Sequence, residues 1–231
     1  MIVSLLLPFL ILLFLSYKLL EKFQSMKGKS ILILGPNCAG KTTLLKYLVE
    51  NKIIKNYIRS AIVEQEKLKK IKISNGIEIT TAIAMTGDEV SIKSWKEEIV
   101  KCDYLIYLIS LKRIVNDSLG IDKTRCKEEL PIDKLENYKQ RVLSDLKIIK
   151  EHLQGLRKSK VFILAFNFAD CFSFYFKDKF EFEQKIQRII DEFIIAAGGG
   201  NIIKCVIGSL ADETEAQKFW DSILVKIKEA L

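Results

Sequence analysis

The octapeptide Gly35-Pro36-Asn37-Cys38-Ala39-Gly40-Lys41-Thr42 leaves this chain little freedom in its choice of fold. It follows the apolar run Ser30-Ile31-Leu32-Ile33-Leu34 and opens the helical run Thr43-Leu44-Leu45-Lys46-Tyr47-Leu48. The result is strand, glycine-bounded loop, helix, with the spacing G-x-x-x-x-G-K-T. Glycines let the backbone curl so that consecutive N–H groups point inward at phosphate oxygens. The helix that follows adds its partly positive N-terminus. Lys41 is spaced to reach the β- and γ-phosphates, and the Thr42 hydroxyl to ligate Mg²⁺. Gly35 to Thr43 therefore form the expected nucleotide cradle, with Pro36, Asn37, Cys38, Ala39 and Gly40 shaping the loop and Lys41 also expected to act in catalysis.

The apolar segment at the N-terminus is the next constraint. Ile2 to Leu15 is apolar except for Ser4, with Pro8 inside, and extension to Leu20 gives about 19 residues, just long enough to span a bilayer if Lys18 snorkels. A cleaved signal peptide would want a positive leading region and a small-residue cleavage site, and neither is evident. An interfacial or re-entrant helix is the other reading. Lys18, Lys22, Lys27 and Lys29 follow the segment and no Lys or Arg precedes it, which places the N-terminus outside and the body in the cytoplasm. Residues 1–20 are read as the anchor, 21–29 as a basic tether and 30–231 as one α/β domain.

The net charge of +8 is Lys-rich and scattered. No dense basic run is interleaved with aromatics, so the excess suits an anionic membrane surface and not direct nucleic-acid binding; a Lys-rich overall composition gives the same excess. The 5 cysteines form no C-x-x-C pair and the single histidine is His152, which argues against a zinc site. Cys38 reads as a small filler of the loop.

Along the chain, strand 1 and helix 1 run to about Asn51. Lys52 to Lys69 is charged and irregular and is expected to be a mobile loop. Lys70 to Ser74 alternates with period two, Asn75-Gly76 is a hairpin turn signal, and Ile77 to Ala84 continues as a second strand. This pair is expected as an antiparallel hairpin at the edge of a parallel sheet. Ser91 to Lys101 reads as a helix and Tyr104 to Ile109 as a strand covered on both faces. Leu111 to Pro131 reads as an inserted polar connection. Ile132 to Leu156 is an amphipathic helix with Leu135, Tyr138, Val142, Leu146, Ile149 and Leu153 on one stripe. A strand over Val161 to Phe166, a helix over Phe180 to Ala197 ended by glycines, a strand over Ile202 to Ile207 and a closing helix from Glu213 complete a three-layer α/β sandwich of the P-loop type.

With these motifs in place the chain resembles the small GTPases of the Ras superfamily, over nearly all of residues 30–231. It is most similar to the Arf branch and to the β subunit of the signal-recognition-particle receptor. GPNCAGKT is similar to the Arf-type loop, Gly87-Asp88-Glu89 followed by Trp95 is Arf-like, and one membrane helix joined to such a domain matches the receptor β-subunit layout. Bacterial membrane-anchored GTPase-like proteins are the other home this pattern fits.

The resemblance implies GTP/GDP and Mg²⁺ as ligands. Asn167-Phe168-Ala169-Asp170 stands where the family has N-K-x-D. The Asp170 carboxylate would accept from guanine N1 and the 2-amino group; adenine lacks both donors, which allows selectivity of about 10⁴-fold. Phe168 replaces the usual lysine and is expected to stack on the base or seal the core. Ser209 and Leu210 fall where a backbone N–H touches guanine O6. Ala84-Met85-Thr86-Gly87 stands at D-x-x-G: Gly87 is kept for the γ-phosphate and the carboxylate is lost. Asp88 takes the place of the residue that positions the attacking water. Ser60 is the candidate second Mg²⁺ ligand beside Thr42.

Two functions are consistent with these residues. One is a membrane-anchored guanine-nucleotide switch with slow hydrolysis and a protein partner, a receptor α-like subunit if the receptor resemblance holds. The other is a scaffold that binds nucleotide without turnover. A P-loop ATPase or nucleotide kinase fits less well, because no carboxylate ends an apolar strand and no Arg-rich lid is present.

Overall fold

The computed structural model describes residues 28–53, 64–74, 77–85, 89–114, 132–156, 160–169, 179–198 and 203–230. The N-terminal apolar segment lies outside the described residues. Among those described, no helix is long and apolar enough to cross a membrane.

Six strands form one sheet in the order β2-β3-β1-β4-β5-β6. These are β1 (Lys29–Leu34), β2 (Glu64–Ser74), β3 (Ile77–Ala84), β4 (Tyr104–Ser110), β5 (Val161–Asn167) and β6 (Ile203–Ile207). The strands β3, β1, β4, β5 and β6 run parallel. β2 pairs antiparallel with β3 at one edge, and the Asn75-Gly76 turn between them lies outside the described residues. The helices are α1 (Lys41–Glu50), α2 (Glu89–Lys101), α3 (Leu111–Ile114), α4 (Ile132–Gln154), α5 (Lys179–Ala196) and α6 (Glu213–Lys228).

The continuous apolar runs of β1, β4 and β5 are explained by burial on both faces. Ile31, Ile33, Ile106, Leu108, Ile163 and Ala165 pack against α1 and α6, where Leu44, Leu48, Phe219, Trp220 and Ile223 meet them. The alternate residues Leu32, Leu34, Leu105, Tyr107, Phe162 and Phe166 pack against α2, α4 and α5. Trp95 of α2 is fully buried there, edge-on to Tyr107 at 6.5 Å between ring centroids. Its contribution is therefore to the core. The α4 stripe enters the same layer through Tyr138, Val142, Leu146 and Ile149.

Two segments differ from expectation. β2 begins at Glu64, six residues before the alternation becomes visible, so residues 64–69 are strand and not loop. The register Glu64↔Ala84 to Lys67↔Thr81 is set by backbone pairing to β3, and an edge strand tolerates a charged sequence because one side faces water. The connection after β4 starts as the helical turn α3, with Leu111 and Ile114 buried; the rest of that insertion lies outside the described residues.

Candidate functional site

The order of the strands reverses at β1, whose neighbours β3 and β4 follow it in the chain. Open α/β sheets bind ligands at the carboxyl ends of the strands at such a switch point. The loop Gly35–Gly40 leaves β1 there and runs directly into α1.

Two glycines are needed for distinct reasons. Gly35 has φ 140°, and a Cβ on it would lie 2.2 Å from the Leu108 carbonyl oxygen of β4. Gly40 has φ 99°, and its Cβ would lie 2.5 Å from Asn167 Nδ2. Cys38 also has a left-handed backbone, φ 62°, and its thiol is exposed. Its role as a filler of the loop is thus corrected: the residue turns the backbone and projects outward.

No side chain caps the N-terminus of α1 and its first turn carries no acidic residue. The helix therefore presents its N-terminal N–H groups and partial positive charge toward the loop. The buried ammonium of Lys41 curls back into the loop, where Nζ donates to the carbonyls of Gly35 and Pro36, both at 2.8 Å. The charge is thereby fixed inside the ring of backbone that would surround a phosphate. Thr42 and Thr43 are half-buried in the first turn beside it.

Asn167 at the end of β5 ties three segments together. Its Nδ2 donates to the Ala39 carbonyl at 3.0 Å, and its Oδ1 accepts from Phe168 N at 2.7 Å and from Leu210 N at 3.0 Å. The side chain is buried, so these bonds form away from competing water. The phosphate loop, the start of the 167–170 motif and the loop after β6 are held as one unit. Ser209 is buried, and its Oγ accepts from Ala211 N at 3.1 Å. Behind this loop Gly208 lies against Phe219, where a Cβ would come within 2.3 Å of the ring. Phe168 has φ 70° and is half-buried, outside both core layers. It therefore does not seal the core.

A buried polar cluster lies beside the loop on the α4 side. Tyr107 donates from its hydroxyl to Asp145 Oδ2 at 2.7 Å, and Arg141 Nε donates to Asp145 Oδ1 at 2.8 Å. Burial pushes the Asp145 carboxyl up, against the opposing pull of the Tyr107 hydroxyl, Arg141 and the nearby Lys41 charge. Burial likewise pushes Tyr107 and Tyr138 well above the usual phenol value, so both stay protonated. The Tyr138 hydroxyl accepts from Ser110 N at 2.9 Å, fixing α4 to the end of β4. Sequence reasoning missed this cluster. The available signal was a carboxylate at position 145, in line with the apolar stripe 138, 142, 149 of α4.

Of the sequence-derived site, the structure brings together Gly35 to Thr43, Asn167, Phe168, Ser209 and Leu210. Ser60, Gly87, Asp88 and Asp170 lie outside the described residues. Ala84, the first residue of the 84–87 segment, is buried at the end of β3. Among the described residues no group of three or more acidic, His or Cys side chains is placed to hold a metal ion. The glycine cradle, the uncapped helix and the enclosed ammonium fit a nucleoside polyphosphate. Thr42, at the start of α1, offers a hydroxyl, an oxygen donor of the kind Mg²⁺ takes.

A glycine-cradled phosphate loop at the switch point of a parallel sheet defines a P-loop nucleotide-binding protein. The family model of the ADP-ribosylation factor family matches residues 16–144, more than half of the chain. The chain belongs to that family, whose members are GTP-binding switch proteins that engage protein effectors and generally bind GTP or GDP with Mg²⁺. No curated protein matches it. The matched range takes in the phosphate loop, the β2–β3 pair and Trp95. It ends within α4, ahead of the 167–170 motif.

Proposed function

We propose that this chain is a membrane-anchored guanine-nucleotide switch with slow intrinsic hydrolysis. The observation that carries the reading is the joint fixation of Lys41 and Asn167. The ammonium sits inside the phosphate loop, and one buried amide holds that loop to both segments that flank the expected base site. A nucleotide bound across them would have its phosphates on Gly35–Thr43 and its base between Phe168, Asp170 and the Ser209-Leu210 backbone. Mg²⁺ supplies charge neutralisation at the β- and γ-phosphates when bound. Thr42 would hold it, with Ser60 as the candidate from the first loop.

Slow hydrolysis follows from Asp88. A carboxylate beside the γ-phosphate repels it and does not orient water as an amide does. The apolar segment 2–20 anchors the domain at the cytoplasmic face of a membrane, and the loops around the γ-phosphate present a surface to a protein partner. A receptor α-like subunit in protein targeting is the partner class suggested by the layout.

The second reading is a nucleotide-binding scaffold without turnover, and Ala84 at the end of β3 is the observation that favours it. The two are separated by following backbone amide exchange of residues 54–63 and 86–88 in GTP and in GDP. Stronger protection in GTP supports the switch; identical protection supports the scaffold.

A further inference from the structure

The strands β3, β1, β4, β5 and β6 are parallel and so begin at one end of the molecule. A helix that leads from one parallel strand to the next must return to that end, so α2, α4 and α5 finish where the strands start. Side-chain contacts agree. Lys160, just ahead of β5, donates from Nζ to the carbonyls of Val100 and Cys102 at the end of α2. Lys29, which opens β1, donates to Asp103, just past α2, at 3.0 Å. The phosphate loop and the 167–170 motif lie at the opposite end, where the strands finish.

The most exposed large apolar side chains among the described residues are Ile195 at 72% and Val100 at 52%. Each is the residue before the last of its helix, α5 and α2. Between those helices lies α4, which packs against both and brings the half-buried Leu153 and Leu156 to the same end. The third such side chain, Val225, stands in the last turn of α6, which follows β6 and runs back the same way on the other face of the sheet. Single exposed apolar groups scattered over a surface are ordinary. Here all three stand at the end where the strands begin, and none stands at the nucleotide end.

We propose that this end of the domain rests on the lipid headgroup surface, with Val100 and Ile195 entering the interface. The proposal rests on the reading of residues 2–20 as a membrane anchor, and that reading says what covers the row. The tether 21–29 joins the anchor to Lys29, at this same end. Fully extended, it reaches about 30 Å. A domain of about 200 residues is about 40 Å across, so the tether holds the strand-start end near the bilayer and leaves the nucleotide end facing away. Val and Ile gain burial at the headgroup boundary, as the apolar face of an interfacial helix does. Lys101, Lys150 and Lys160 stand beside the row to meet anionic headgroups, and Glu98 at this end is paired with Lys101 at 2.7 Å. The phosphate loop is then open to a protein partner from the side away from the membrane.

The test places the full chain in vesicles of phosphatidylcholine and phosphatidylserine in equal parts, with acyl chains brominated or not. Three variants each carry one added indole: Val100→Trp, Ile195→Trp and, as control, Gln187→Trp. Gln187 is exposed on α5 about 12 Å nearer the nucleotide end than Ile195. The native Trp95 and Trp220 are buried in the core and give the background. Thermal melts check that each variant keeps its fold, and flotation of the vesicles after an alkaline wash tests the anchor separately. The expected result is that every protein floats, and that brominated lipid removes most of the added emission in Val100→Trp and Ile195→Trp but leaves that of Gln187→Trp. Flotation with no quenching at position 100 or at position 195 overturns the docked end and leaves the anchor standing. Equal quenching in Gln187→Trp overturns it too, since the domain then lies on its side. Failure to float overturns the anchor reading, and the docked end with it.

Discussion

Lys41 and Asn167 show how much of a nucleotide site can depend on single side chains. Lys41→Ala removes a charge enclosed by the loop and its two bonds to the Gly35 and Pro36 carbonyls. Those two bonds are internal to the loop; the affinity loss comes from the charge withdrawn from the β- and γ-phosphates, where charged hydrogen bonds contribute about 1.5–3 kcal/mol each, so GTP affinity measured by calorimetry should fall by about 100-fold or more. Asn167→Ala leaves Ala39 O, Phe168 N and Leu210 N without partners in a buried place. Unfolding in urea should show a loss of about 2–4 kcal/mol, with nucleotide affinity falling alongside. Asn167→Asp keeps the acceptor but turns an oxygen toward the Ala39 carbonyl, so it should not restore affinity. The placing of Lys41 at the loop was legible in the spacing of G-x-x-x-x-G-K-T, because that spacing is local. The tether from Asn167 to Ala39 was not, because nothing in the linear order says that residues 39, 167 and 210 meet.

At the scale of elements, strand β6, its loop and helix α6 act as one piece. Gly208→Ala would drive a Cβ into the Phe219 ring at 2.3 Å, and α6 must move to relieve it. Overpacking of this kind costs about 1–3 kcal/mol, and the displaced 209–210 loop should lower GTP affinity more than it lowers melting temperature in proportion. Helix α4 carries a pH signature. Burial raises the Asp145 pKa in the fold, so its ionised form is disfavoured relative to the unfolded chain. The contribution to stability is fully present below about pH 4, the ordinary carboxylate value, and is lost as pH rises through the folded value. Urea midpoints measured from pH 3.5 upward should therefore decline for the unaltered chain relative to Asp145→Asn, which lacks the titration. The strands of the sheet were legible because runs such as Tyr104–Ile109 are apolar on both faces. The onset of β2 at Glu64 was not, since backbone pairing and not side-chain pattern sets it. Asp145 escaped notice for a related reason: its Tyr107 partner lies on another element.

At the scale of the molecule, the proposed switch combines a family fold with few protein groups for a metal. With Ala84 buried at the end of β3 and Thr42 the proposed ligand, Mg²⁺ would be held mainly through the phosphates and water. Chelation with EDTA should then lower GTP affinity by no more than about 10-fold, roughly 1.4 kcal/mol. The measurement that bears most directly on the guanine-nucleotide reading is binding and turnover of GTP, GDP and ATP by the full chain in detergent, beside Lys41→Ala and Asp170→Ala. The expected result is tight GTP and GDP binding, weak ATP binding, slow turnover, loss of binding in Lys41→Ala and loss of guanine preference in Asp170→Ala. Equal affinity for GTP and ATP, or a guanine preference that survives Asp170→Ala, would contradict it.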